Sequence, residues 1–216
     1  MVDVVVFGAA GPTGRLICRD ALVAGHRVRA VSRRSDPLGL PGSAQLVQVR
    51  ADAVSGAGVA AAIDGADAVL SVLGSAYQRG EVTVYSAGVR AMVEAMRAGA
   101  GGRRLVVVSS GLTYPPPPTN WFADHLLFPF LRGVLGRTLY ADMRRMEEYL
   151  RACDDIEWTI MRPGRLFDRD EASEYRLDPD HPTQGYTSRV DLAAAMLAEL
   201  GPAAHVHSAV APTTNR

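Results

Sequence analysis

The chain has no lysine; all 23 of its basic residues are arginine. No ammonium group is therefore available as base, Schiff-base former or proton relay, and a guanidinium stays protonated and cannot replace it. Cysteine is nearly absent as well. Cys18 and Cys153 stand far apart and outside any metal-like spacing. That excludes a disulfide framework and points to two reduced thiols in a cytoplasmic protein. Charge of one sign is not in excess either, since 23 acidic residues balance the arginines. A nucleic-acid surface needs a basic surplus, so that partner is not expected. No apolar run reaches the length of a membrane span. Val4 to Phe7 is a strand-length stretch, not the core of a secretory signal. His205-x-His207 would put two imidazoles on one side of a strand, but without a partner carboxylate, so no metal is expected.

What is present is an alternation of strand and helix signals. At 216 residues and 48% hydrophobic, the chain is long and apolar enough for one α/β domain with a full core. Strands are expected at 2–7, 26–31, 45–50, 66–73, 104–109 and 158–162, with a short last one at 205–211. Helices are expected at 13–24, closed by Gly25, and at 54–63, 82–98 and 189–200, with a capping box formed by Ser188 and Asp191. Leu139, Met143, Met146 and Leu150 recur at helical spacing and mark one more core-facing helix. Strands separated by helices imply a parallel, doubly wound sheet with helices on both faces, without a second domain. Ligands in such sheets sit beyond the carboxyl ends of the strands, where strand order reverses.

The loops expected at that edge carry the chemistry. Gly8-Ala9-Ala10-Gly11-Pro12-Thr13-Gly14 follows the first strand and opens a helix. Such a turn lets the backbone approach a pyrophosphate, and the helix end turns its unsatisfied N–H groups and positive dipole toward it. The second strand runs into Ser32-Arg33-Arg34, where an NAD-preferring site usually has a carboxylate. A hydroxyl and two guanidiniums suit a 2′-phosphate, so NADP(H) is expected, with Arg33 as the main contact; two solvated surface arginines are the alternative. Asp52 and Ala53 end the third strand and suit an adenine amino group, or Asp52 caps the following helix. Leu73 and Gly74 end the fourth, where Gly74 allows close passage of a ribose or simply ends the strand.

These motifs, with Ser109-Ser110 and Trp158-Thr-Ile-Met-Arg-Pro-Gly, resemble the atypical short-chain dehydrogenase/reductases of the NAD(P)H-binding, NmrA-like group. Within it they are most like the biliverdin-IXβ reductase/flavin reductase members. The resemblance runs from the first strand to Asp191. It implies a single Rossmann-like domain, 1–216, with substrate-covering segments at about 111–139 and 164–187. It also implies Ser110 in the substrate pocket, Ser109 at the nicotinamide ribose or in a structural role, and the Pro163 backbone at the carboxamide. The larger superfamily pairs a serine with Tyr-x-x-x-Lys; here the matching stretch is Tyr140-Ala-Asp-Met-Arg144. Arg144 can supply charge but cannot relay a proton. The alternative has Tyr140 half-buried and Arg144 paired with Glu147 or Glu148.

The apolar stretch from Trp121 to Leu131 would roof a substrate pocket, join the core or form a dimer contact. Arg165 faces an acidic substrate or solvent. The expected activity is NADPH-dependent hydride transfer to a flat conjugated acceptor: flavin, quinone, tetrapyrrole or polycyclic ketone. A redox sensor without turnover, and an isomerase, epimerase or dehydratase on the same fold, are the alternatives. A monomer or homodimer fits all three.

Overall fold

A computed structural model describes every residue except 35, 41, 79, 119, 120, 202–204 and 216. The covering segment expected at about 111–139 therefore lies partly outside the described residues. The main sheet has eight strands: β1 (Asp3–Phe7), β2 (Arg27–Ser32), β3 (Leu46–Arg50), β4 (Ala68–Ser71), β5 (Arg104–Val108), β6 (Glu157–Met161), β8 (Arg176–Pro179) and β10 (Ser208–Thr213). Their spatial order is β3-β2-β1-β4-β5-β6-β10-β8. All neighbours are parallel except the edge strand β8, which runs antiparallel to β10. β7 (Arg165–Phe167) and β9 (Tyr186–Ser188) pair separately. The chain direction across the sheet reverses between β1 and β4, which places a crevice at their carboxyl ends.

Helices cover both faces, as expected. α1 (Pro12–Val23) and α6 (Arg189–Ala198) bury Ile17, Cys18, Ala21, Leu192 and Met196 against one face. α2 (Val59–Ile63), α3 (Val84–Ala98) and α5 (Arg137–Arg151) cover the other, and Leu139, Met143, Met146 and Leu150 all face that core. β1 is buried along its whole length, as a central parallel strand must be. Gly25, at φ 80°, ends α1: its N–H donates to the Leu22 carbonyl and that of His26 to Ala21.

Several expectations are corrected. The helix expected over 54–63 begins only at Val59. Asp52 does not cap it; Asp52 Oδ1 accepts the Val54 N–H in a local turn, and Gly56 and Gly58 both take φ 77° before the helix starts. The last strand starts at Ser208, because 205–207 form a turn. His205 and His207 therefore do not share a strand face: His205 Nδ1 lies 2.7 Å from Glu199, and His207 Nε2 2.8 Å from the Ile156 carbonyl. Only half of the capping box forms. Ser188 Oγ accepts the Asp191 N–H, whereas the Ser188 N–H goes to Thr214 and the Asp191 carboxylate accepts from Ser173 and Thr214.

Both cysteines are buried, and burial pushes the Cys18 thiol up to about 12. Below that pH the native thiol stays protonated and unreactive. A thiol-specific aromatic disulfide reagent at pH 8 should therefore release no chromophore from the folded protein and two equivalents after unfolding in urea.

Candidate functional site

Three glycines shape the first loop, and two are required by contact. Gly8 sits at φ +83°, and a Cβ there would lie 2.7 Å from the Val72 carbonyl oxygen beyond β4. At Gly14 a Cβ would lie 2.2 Å from the Gly8 oxygen, so only hydrogen lets α1 settle on the turn. The Gly11 N–H donates to the Gly8 carbonyl and closes the loop. Among the described residues, the N–H groups of Ala10, Thr13 and Gly14 have no backbone acceptor, and Pro12 contributes none to lose. These donors, at the positive end of α1 and beside the β1/β4 crevice, match a pyrophosphate in sign.

At the end of β2, Ser32 Oγ accepts the Arg34 N–H, 3.1 Å away. Arg33 and Arg34 are exposed, and among the described residues neither guanidinium has a carboxylate partner. Asp52 keeps one carboxylate oxygen outside its local turn, while Ala53 is buried. Leu73 packs toward Gly88, where an added Cβ would come within 2.7 Å of it. Gly74 has no comparable constraint: its nearest neighbour, the Tyr85 hydroxyl, is 4.0 Å from where a Cβ would stand.

The second half of the site is built around a buried carboxylate. Glu147 on α5 has no exposed surface. It accepts from Ser109 Oγ at 2.6 Å, from Arg162 through Nε at 3.2 Å and Nη2 at 2.5 Å, and from Arg151 at 3.1 Å. The Arg162 guanidinium also lies over the Tyr114 ring, 4.7 Å from its centroid. The Ser109 hydroxyl, shared between Glu147 and Thr113, thus has a structural role, tying β5 to α5. The Pro163 carbonyl accepts the Gly111 N–H and fixes the turn that carries Ser110.

The Tyr140 phenol is buried, which raises its pKa; the Tyr77 hydroxyl, 2.9 Å away, raises it further, and Ser110 lowers it. Gly136 makes room for the ring, since a Cβ there would fall 2.3 Å from it. Ser110 Oγ also accepts the Leu112 N–H, so it serves its own turn as well. Arg144 does not partner the phenol, nor Glu147 or Glu148. Its Nη1 donates to the Thr113 carbonyl, because Glu147 is already held by Arg162 and Arg151. The alternative of a half-buried Tyr140 is likewise corrected, for only 2% of it is exposed.

Tyr77 escaped the sequence reading. Its one signal is position, three residues beyond Gly74 at the carboxyl end of β4. The Glu147–Arg162 pair was missed because a buried ion pair reads as two ordinary surface charges. Trp121, Phe122, Leu126, Phe130 and Val134 are all exposed, so the apolar stretch does not join the core. It forms two π-helical turns, Ala123–Leu127 and Leu131–Leu135, joined by α4 (Phe128–Phe130).

Comparison with known proteins places the chain in a family and shows a shared fold. The model of the NAD(P)H-binding family matches residues 8–201. The chain belongs to the NAD(P)H-binding family. Over 79 residues it is 34% identical to the UPF0659 protein C216.03 of Schizosaccharomyces pombe; that match covers 35% of this chain and 32% of the relative, about a third of its length. Among solved structures, a protein from Burkholderia pseudomallei described as a candidate exported protein is 27% identical, with TM-score 0.77, over 98% of this chain and 99% of that one. A protein from Streptococcus pneumoniae described as a candidate NADH-flavin reductase has TM-score 0.78 at 19% identity, with complete coverage of both chains, 100% each. A short-chain dehydrogenase/reductase from Veillonella parvula in complex with NADP has TM-score 0.77 at 18% identity, over 99% of this chain and 95% of that one. The last two establish a shared fold. No helix among the described residues is long and apolar enough to cross a membrane, and none of their His, Cys, Asp and Glu side chains form a metal-like cluster.

Glu147→Ala would leave Arg162 buried without its counter-charge and should destabilise the fold by about 3–5 kcal/mol in urea unfolding. Arg33→Ala should weaken NADPH binding about tenfold or more and leave NADH binding nearly unchanged, as measured by titration of nucleotide fluorescence.

Proposed function

We propose that this protein is an NADP(H)-dependent reductase that delivers hydride to a flat, conjugated acceptor. The observation that carries the reading is the Tyr77–Tyr140 hydroxyl pair, with Ser110 acting on the same phenol, at the carboxyl ends of β4 and β5, on the same edge as the glycine-rich loop. The cradle at Ala10, Thr13 and Gly14 would hold the pyrophosphate, with Ser32, Arg33 and Arg34 on the adenosine phosphate. Asp52 and Ala53 would meet the adenine, and Leu73 and Gly74 the ribose side. When bound, the reduced nicotinamide supplies a hydride, and with one proton from solvent the acceptor gains two electrons and two hydrogens.

The residues of the chain supply placement more than acid strength. A buried phenol with a raised pKa is a weak acid, and no ammonium lowers it. Tyr140 instead accepts or donates a hydrogen bond as the acceptor requires, and Ser110 orients the group being reduced. Flavins and quinones tolerate this arrangement, because their reduced forms bear negative charge well and take their proton from water. Catalysis then rests on holding two rings in register.

A second reading, a sensor that binds NADP(H) without turnover, draws on the same weak acid. The deciding assay follows NADPH absorbance against a panel of flavins, quinones and polycyclic ketones. Acceptor-dependent NADPH loss is expected; stoichiometric binding with no consumption would establish the sensor. Tyr140→Phe should lower kcat for ketones about a hundredfold and change flavin reduction by no more than about threefold.

A further inference from the structure

Many of the described arginines face carboxylates, as Arg104 meets Glu199, Arg162 meets Glu147, Arg97 meets Asp155 and Arg189 meets Asp168. Others do not, Arg33 and Arg34 among them, and three of these are gathered in one place. Arg132, Arg137 and Arg144 line a single cleft with Pro129 and Gly133. Among the described residues none of the three forms an ion pair with a carboxylate. Their protein partners are uncharged: Arg132 Nε donates to the Leu112 carbonyl at 3.1 Å, and Arg144 Nη1 to the Thr113 carbonyl at 3.2 Å. Those carbonyls belong to the two residues that follow Gly111, directly after Ser110. Arg132 and Arg144 are thus held at the turn that follows Ser110, with Arg137 in the same cleft.

Like charges repel, and the effect registers on Arg132, whose pKa is lowered by burial first and by the Arg144 charge second. A protein that brings three such groups together without a counter-ion has a cleft that gains from an incoming anion. Guanidinium forks match the paired oxygens of carboxylate and phosphate, and their bonds to an ionised acceptor are the strong ones.

We propose that the Arg132–Arg137–Arg144 cleft is an anion subsite that binds the phosphate or carboxylate borne by the acceptor, whose flat ring lies against Ser110 and Tyr140. This deepens the reductase reading and rests on it for the ring's placement. It narrows the acceptor class to planar molecules with an acidic side arm, and it gives Arg144 a role in binding rather than proton transfer.

The test is direct binding to the full chain with saturating NADP+. Flavin mononucleotide is compared with riboflavin, which lacks only the phosphate, by quenching of flavin fluorescence. Anthraquinone-2-carboxylate is compared with its carboxamide by calorimetry. The expected result is that the anionic member binds about tenfold tighter in at least one pair. Preference within the flavin pair alone assigns a phosphate, within the quinone pair alone a carboxylate, and within both a general oxyanion site. Arg137→Gln should abolish the preference without changing the affinity of the neutral member, and Arg137→Lys should restore part of it. The proposal is overturned if neutral and anionic members bind alike, or if the preference survives in both Arg137→Gln and Arg132→Gln. Failure of all four compounds to saturate removes this subsite together with the acceptor class. Anion preference without NADPH consumption would overturn the reductase reading and leave the subsite standing.

Discussion

The approach of α1 to the turn after β1 governs the rest of this structure. With no side chain at Gly14, the helix sits directly on the Gly8 carbonyl. That contact fixes where the first turn of α1 begins, and hence where its unsatisfied N–H groups point. Gly8, in turn, touches the Val72 carbonyl beyond β4. The crevice at the reversal of strand order is thus bounded on one side by bare backbone. Any larger residue at either glycine would force helix and sheet apart.

A second constraint holds the opposite wall. Glu147 and Arg162 are buried together, and Ser109 joins them. A buried ion pair gains stability only when its hydrogen bonds are well satisfied, and this one is met from β5, α5 and the end of β6 at once. Its effect is geometric: it sets the turn with Ser110 against the helix with Tyr140. The placing of both side chains therefore depends on a carboxylate that touches neither. The two walls are independent in sequence and meet only because the strand order brings β1, β4 and β5 side by side.

The fold was legible because its signals are periodic or steric. Buried strands read as apolar runs, the stripe Leu139–Leu150 read as a core face, and Gly25 read as a helix stop. The tight turn after β1 was legible for the same reason, since glycine at a close approach leaves a mark in the chain. Errors arose where competing local hydrogen bonds decide. Asp52 turning back on Val54 delayed α2, and Thr214 took the N–H that the capping box at Ser188 required. The wall formed by α5 was less legible. Arg144 was expected beside Tyr140 or paired with Glu147 or Glu148, but Arg162 reaches Glu147 from a distant strand. Tyr77 has no periodic neighbour, and only the topology of the sheet brings it to Tyr140.

The central claim is that the glycine-rich loop and the arginines after β2 together form one nucleotide site that reads the adenosine phosphate. Isothermal calorimetry of the unmodified chain with NADPH and with NADH tests it most directly. The account predicts saturable binding at one nucleotide per chain, tighter for NADPH. Equal affinity for both would contradict the role given to Arg33 and Arg34, and no saturable heat with either would contradict the site itself.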